Sequence, residues 1–392
     1  MVLLFAMGGI VTLSLLYLLL WMQLIGSFKL RTTTDFIAFY AAGWIARYES
    51  PSQVYSLDSQ RVVEEHVSGS SIPANQVNPF VHPPFVIPLI SLLITPDFVN
   101  SYENWAMGML LLLMISSLLL IFSLPYLGKM DSLLLFLSGL LFFPGMVSLL
   151  NGQDSAILLL GAAIWFYGLV KGKFHIAGIG LALTTIRPQI SIILAIPFLF
   201  KFRRIWWWYC GGIAVLAATS ILIYGVENVQ GFLRILTVSA SGEGYLINER
   251  AMVNFLGLLR TIFPGFSPNV LRYAIWLSYL VAIAGICLLW LRANLAIEYY
   301  VTLAVIISIF FSPHFHYHDL VLLLLPLFGI MRILIQKGVA TEAALALSMS
   351  LLSLLMLLNH LLPLFHIMPY VLMMGLPVFG FFLTKKSNQL NL

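Results

Sequence analysis

The chain alternates long apolar runs with short polar turns. The runs fall near 3–26, 105–127, 132–150, 153–170, 174–186, 189–201, 205–224, 271–291, 296–312, 317–335, 339–362 and 366–383. Many approach the ~20 residues of a helix that crosses a bilayer core. They predict an all-α polytopic membrane protein of about 12 transmembrane helices. Two stretches fit this pattern less simply. Residues 174–201 make either two short spans meeting at Arg187-Pro188 or one span kinked there, because proline disfavours helix at the residue before it. Residues 81–98, "VHPPFVIPLISLLITPDF", are broken by prolines and short for a span, so they predict a re-entrant or interfacial segment.

The polar turns sort by charge. With the N-terminus inside, one side receives "GKMD" (128–131), "KGK" (171–173), "KFRR" (201–204), "LRANLAIE" (291–298), "RILIQKG" (332–338) and "KK" (385–386). Those turns hold most of the Lys and Arg, as a cytoplasmic face should. "WWW" (206–208) beside "KFRR" reads as an interfacial anchor, and Lys29 and Arg31 are exceptions on the outer face. That outer face receives 27–104, "NGQD" (151–154), "RPQ" (187–189), 225–270, "SPHFHYHD" (312–319) and 359–366, with His360 and His366. It also collects seven of the eight histidines.

Composition adds three limits. The chain is 61% hydrophobic and 9% charged, which excludes a soluble fold. All of 1–392 therefore reads as one integral membrane domain, with 27–104 and 225–270 as its large extracytoplasmic loops. Residues 1–26 lack a basic leader and a cleavage site, so they read as a retained span and not a signal peptide. The net charge of +5 is spread over turns that set topology and gives no nucleic-acid signal. Cys210 and Cys287 lie far apart in apolar runs and read as inert buried thiols.

Candidate chemistry gathers on the outer face. Thr34 or Asp35 can N-cap a helix lying flat on the interface, with Phe36, Phe39, Tyr40, Gly43 and Trp44 along one side. Asp35 is then either a cap alone or, ionised at the helix N-terminus, a base for a hydroxyl proton. His314, His316, His318 and Asp319 form a cluster at a span boundary. They suit an anionic headgroup better than a metal, since the H-E-x-x-H glutamate is missing. Arg187 stands where a bare charge is costly, so it either snorkels to the surface or pairs with an anion. Asn151 and Gln153 offer amides and Asp154 a carboxylate at 151–154, unless that is only a glycine turn capping the next span, and Gln189 follows Pro188. No phosphate-binding glycine loop or nucleophile elbow is present, which leaves nucleotide-sugar chemistry without a domain.

Residues 35–55, "DFIAFYAAGWIARYESPSQVY", resemble the start of the polyprenol-phosphate-sugar-dependent glycosyltransferases of family 87. The resemblance continues through "HPPFVIPL" (82–89), "NGQDSAILLLGAAI" (151–164), "AGIGLALTTIRPQISIILAIPFLF" (177–200), "MVNFLGLL" (252–259) and "SPHFHYHDLVLLLLP" (312–326). It implies the C-type glycosyltransferase (GT-C) membrane fold, with interfacial helices in the first outer loop. It also implies inverting transfer of a sugar, mannose by default, from a polyprenyl-phosphate-sugar to a glycolipid or polysaccharide acceptor outside the cytoplasmic membrane. No cofactor, metal or nucleotide is implied. Asp35 matches the catalytic acid of the family, Arg187 its basic residue before the membrane proline, which with a histidine would stabilise the leaving lipid phosphate, and His314 to Asp319 the polar cluster over the donor. His82 stands where tyrosine is usual, and His318 and Asp319 where two histidines are common. With Asn151, Gln153, Gln189 and Tyr40 these complete the expected donor site. A lipid or polysaccharide transporter is the alternative, although the chain shows neither paired halves nor midplane charges.

Overall fold

The computed structural model describes residues 1–125, 127–241, 251–292, 295–362 and 367–388, and every regular element among them is helical. The first outer region contains α2 (Phe28–Thr32), α3 (Phe36–Tyr48), α4 (Leu57–Ser68) and α5 (Ile87–Leu93), after α1 (Val2–Ile25). Then follow α6 (Phe98–Ser123), α7 (Lys129–Leu140), α8 (Phe143–Leu150), α9 (Ser155–Val170), α10 (Phe174–Leu183), α11 (Pro188–Ala195) and α12 (Arg203–Ser241). The chain ends with α13 (Phe255–Ile262), α14 (Pro268–Arg292), α15 (Ile297–Phe311), α16 (Leu324–Gln336), α17 (Glu342–Leu361) and α18 (Met368–Asn388). Ser27, Ser56, Asp97, Asn254 and Thr341 each start a helix by accepting the backbone N–H three residues on. The Asp97 cap explains why α6 begins before its apolar run.

Six helical stretches are long and apolar enough to cross a bilayer: α1, α6, 203–237, α14, Tyr317–Gln336 and α17. The pair α7 and α8, bent by 48°, makes a seventh if taken as one span. Helix length alone therefore gives six or seven crossings and not the twelve expected. The other apolar helices have 10–17 residues, or about 15–25 Å. Their apolar runs were already short of a full crossing, and apart from 84–93 the helices match those runs to within one or two residues. Segment 84–93 is one of these short helices, as its prolines suggested.

The ambiguity at 174–201 resolves as a hairpin. The rings of Phe174 and Phe202 lie 5.5 Å apart, and the Ser191 hydroxyl donates to the Leu181 carbonyl, so the chain doubles back at Arg187. The long α12 breaks at Gly225, whose φ of +80° ends the expected span 205–224. Two details differ from expectation. Helix α3 is enclosed by protein on all sides, with Phe36 to Gly43 all buried. It packs against α4, α5 and α6. Cys210 and Cys287 are free but only half-buried. His366 and residues 242–250 lie outside the described residues.

Close packing of backbones holds α9 to α10 and α10 to α12, the contact expected where apolar burial gives little drive between helices in lipid. A Cβ on Gly180 would lie 2.4 Å from the Trp165 amide nitrogen and 2.7 Å from the Gly161 carbonyl oxygen. Those atoms are backbone and cannot step aside. Gly180→Ala should therefore lower stability by about 1–3 kcal/mol, read as a lower thermal denaturation midpoint in detergent. Gly211→Ala, with nothing within 4 Å, should leave the midpoint unchanged or raise it. Equal midpoints for the two variants would refute the packing account.

Candidate active site

The short helices bring polar ends to one place. The start of α3, the end of α8 with the turn after it, the apex of the α10–α11 hairpin and the segment after α15 all border a cavity of about 1110 Å³. Ten of the expected site residues line it: Asp35, His82, Asn151, Gln153, Arg187, Gln189, His314, His316, His318 and Asp319. The basic turns 171–173 and 201–204 follow the opposite ends of the same helices.

The turn after α8 is a Schellman motif. The Gly152 N–H reaches the Leu149 carbonyl at 3.1 Å, and the Gln153 N–H reaches Ser148 at 2.8 Å. Gly152 needs φ +63°, and a Cβ there would lie 2.4 Å from the Cβ of Phe36. Only glycine meets both conditions. Trp105 and Tyr102 donate to the Gly152 and Leu150 carbonyls, which docks the turn on α6. Gln153 is thereby held beside the start of α3, and its Nε2 donates to Asp35 Oδ2 at 2.7 Å. Asp35 occupies the N-cap position of α3, yet its side chain makes no capping bond. The Thr34 hydroxyl donates to Arg31 instead. The capping role that the sequence offered for Asp35 is thus not used, and its carboxylate belongs to the cavity.

Arg187 is the centre of a second group. Its Nη2 lies 2.8 Å from Asp154 Oδ1 and 3.6 Å from Asp319 Oδ1. Asp319 also accepts from the Ser155 hydroxyl at 2.7 Å. Burial alone would raise the Asp154 carboxyl, but the Arg187 guanidinium and His82 override it and hold it well below the usual carboxylate range. Burial would likewise lower the Arg187 guanidinium, and Asp154 foremost raises it instead. His82 Nδ1 lies 2.9 Å from both Arg187 Nη1 and Asp154 Oδ2. One ring nitrogen cannot accept from the first and donate to the second at once, so its protonation decides which it serves.

His82 arrives on an extended strap held from outside. Gln60 bridges the Val54 carbonyl and the Phe80 N–H, Glu64 accepts the Asn78 N–H, and Tyr55 donates to the His82 carbonyl. The His82 ring lies between Phe39 and Phe80, at 4.7 and 5.1 Å. Burial pushes the Glu64 carboxyl up to about 7, against the lowering effect of the Asn78 N–H.

The histidine segment adjoins this group and lines the same cavity. The rings of His314 and His316 are 4.7 Å apart, and those of His316 and His318 are 5.8 Å apart. Burial, then each other's proximity, lowers His314 well below its ordinary value. Burial, then His318, lowers His316 to about 4, so both rings are neutral near pH 7. Gln189 donates to the His314 carbonyl and receives the Tyr279 hydroxyl on its own. Asn254, the cap of α13, donates to the Ser312 carbonyl at 2.7 Å.

Tyr40 is a correction. It is 2% exposed, does not line the cavity, and donates to the Thr95 and Pro96 carbonyls, where it fixes the chain before α6. Ser155, Gln60 and Asn254 escaped the sequence as site-shaping residues, and Asp154 was visible only as the acid of the 151–154 turn. Among the described residues no three His, Cys, Asp and Glu side chains are arranged to share a metal ion.

The site thus sets an amide-held carboxylate and an ion-paired arginine together with neutral imidazoles, in a cavity among apolar helices. That arrangement suits transfer between polar groups at the edge of a lipid phase. A comparison with curated proteins finds no match. The sequence model of glycosyltransferase family 87 matches residues 80–313. The matched region contains His82, the 151–154 turn and Arg187, and stops short of Asp35 and the histidine segment. Spanning more than half of the chain, this match shows that the protein belongs to glycosyltransferase family 87 and is a membrane enzyme that transfers a sugar.

Proposed function

We propose that the enzyme moves a sugar from a polyprenyl-phosphate-sugar to an acceptor hydroxyl outside the cytoplasmic membrane, with inversion and with Asp35 as general base. The observation that carries this reading is the Asp35 carboxylate, held by Gln153 at the cavity and making no capping bond. The acceptor oxygen attacks the anomeric carbon as Asp35 takes its proton. The bond to the phosphate oxygen breaks, and its electron pair leaves with the lipid phosphate. A phosphate is already a good leaving group, so the base contributes most to a weak hydroxyl nucleophile. Mannose is the default sugar, and a glycolipid or polysaccharide the acceptor. The chemistry calls for neither nucleotide nor metal.

The C-type (GT-C) fold fits this reading. Twelve crossings result when the bent pair and the five short apolar helices other than 84–93 each count as one. In that topology the cavity opens outside and the basic turns face the cytoplasm. A transporter would need a path between the two ends. Among the described residues, none from 171–173 or 201–204 lines the cavity.

Arg187 keeps Asp154 and Asp319 ionised and so fixes the wall along which the sugar lies, with Asn151, Gln189, His82, His314, His316 and His318 as its hydrogen-bonding groups. Arg187→Gln would leave two buried carboxylates without their cation, a loss of roughly 3–5 kcal/mol. A large drop in denaturation midpoint is expected together with lost transfer. Arg187→Lys should recover part of both, since it keeps the charge and loses the fork. Native stability in Arg187→Gln would show that the cluster holds nothing together.

Asp35→Asn should keep its stability, because no capping bond is lost, and should cut transfer by ~10²–10⁴-fold. Asp35→Glu should also be poor, since one methylene displaces the carboxylate from the attack geometry. Transfer of radiolabelled sugar from a panel of polyprenyl-phosphate sugars, in membranes carrying each variant, tests both. Near-native transfer by Asp35→Asn would remove the base role from this residue.

A further inference from the structure

The cavity has a second wall that the transfer chemistry does not use. On α14, Arg272, Ile275, Trp276 and Tyr279 follow i, i+3, i+4, i+7 spacing and all line the cavity. Trp276 is 41% exposed and Ile192, on α11, is 39% exposed, although both also line the cavity. These two exposed side chains make this part of the cavity lining both apolar and open. Tyr279 ties the wall to the inner site through its bond to the Gln189 carbonyl. Arg272 stands two turns away along the same helix, about 10 Å from Tyr279.

Charge divides the two walls. Arg187 is flanked by Asp154 and Asp319, and Asp35, whose charge acts on His316 together with Asp319, adds a third carboxylate to this group. The inner wall is therefore a poor place for a phosphate whose negative charge grows during the reaction. Arg272 is the other arginine among the described lining residues. A guanidinium carries five N–H donors, so contacts made elsewhere do not prevent it from meeting a phosphate.

Building on the donor class proposed above, we infer that the lipid phosphate is received by Arg272, not Arg187, while the prenyl chain leaves between Ile192 and Trp276. The sugar then extends inward along the histidine wall to Asp35. Arg272 is a binding residue in this arrangement and leaves the proton transfer to Asp35.

The test uses the full-length protein in detergent and a short-chain polyprenyl phosphate without sugar. Arg272→Gln should bind it roughly 10–100-fold more weakly, as loss of one or two charge-assisted hydrogen bonds implies. Arg272→Lys should recover part of that affinity. The matching prenyl alcohol should bind native protein and Arg272→Gln alike, which also certifies that the variant is folded. Inorganic phosphate alone should not displace the lipid, which separates a lipid headgroup from a free-anion site. Trp276→Ala should weaken alcohol and phosphate equally. Native affinity in Arg272→Gln, with loss in Arg187→Gln, would return the phosphate to Arg187. If native protein bound no polyprenyl phosphate at all, the donor class itself would fall, and this assignment with it.

Discussion

The paired charges of Asp154, Arg187 and Asp319 are the constraint on which the site is built. Each comes from a different element: the residue before α9, the apex of the α10–α11 hairpin, and the tight turn leading into α16. Such a buried group adds little net stability compared with apolar packing, but loss of one member leaves a charge stranded. Its effect is therefore positional. Three helix ends must meet at distances of 2.8 to 3.6 Å, or the chain carries an unpaired charge among apolar helices. Pro188 supports the arrangement by ending the helical path at Arg187, and Ser155 by holding Asp319.

This meeting of ends is possible because the helices involved are short. A broken or shortened helix in a membrane exposes backbone groups, and that is tolerated only where protein or a water-filled cavity receives them. Here the breaks are satisfied locally. The Schellman turn at 151–153 closes α8, and Asn254 and Gln189 take up the carbonyls of Ser312 and His314. The space left above the short helices becomes the cavity, so its position follows from where the helices stop.

The sequence made the apolar runs legible, and with them the helical class, because a run of about 20 apolar residues has few other uses. Asp35, Arg187 and the histidine segment stood out for the opposite reason: polar residues are costly in such surroundings. Helix ends were less legible. The Asp97 cap and the Gly225 break override hydropathy, and the Phe174–Phe202 contact that makes 174–201 a hairpin is long-range. Tyr40 and the burial of α3 escaped because an apolar side chain suits lipid and protein equally. Periodicity in a membrane segment therefore cannot say which of the two it meets. Asp154 was hidden by its turn, where an acid is ordinary until its partners are known.

The charge balance of the inner wall bears on how a substrate lies. A sugar ring is neutral and rich in hydroxyls, and it can donate to Asp319 or Asp35 and accept from Gln153, Gln189 or the imidazoles. A phosphodiester can only accept. Near pH 7 His314 and His316 are neutral, since burial foremost keeps them unprotonated, so they supply donors without supplying charge. The wall is thus matched to hydroxyl groups and mismatched to anions. On the function proposed above, that asymmetry would orient a lipid-linked sugar before any catalytic step: ring inward, where hydrogen bonds of both senses are available, and phosphate outward toward α14. On the same reading the Asp35 carboxylate would face a hydroxyl and not another anion, the condition under which a base can take a proton.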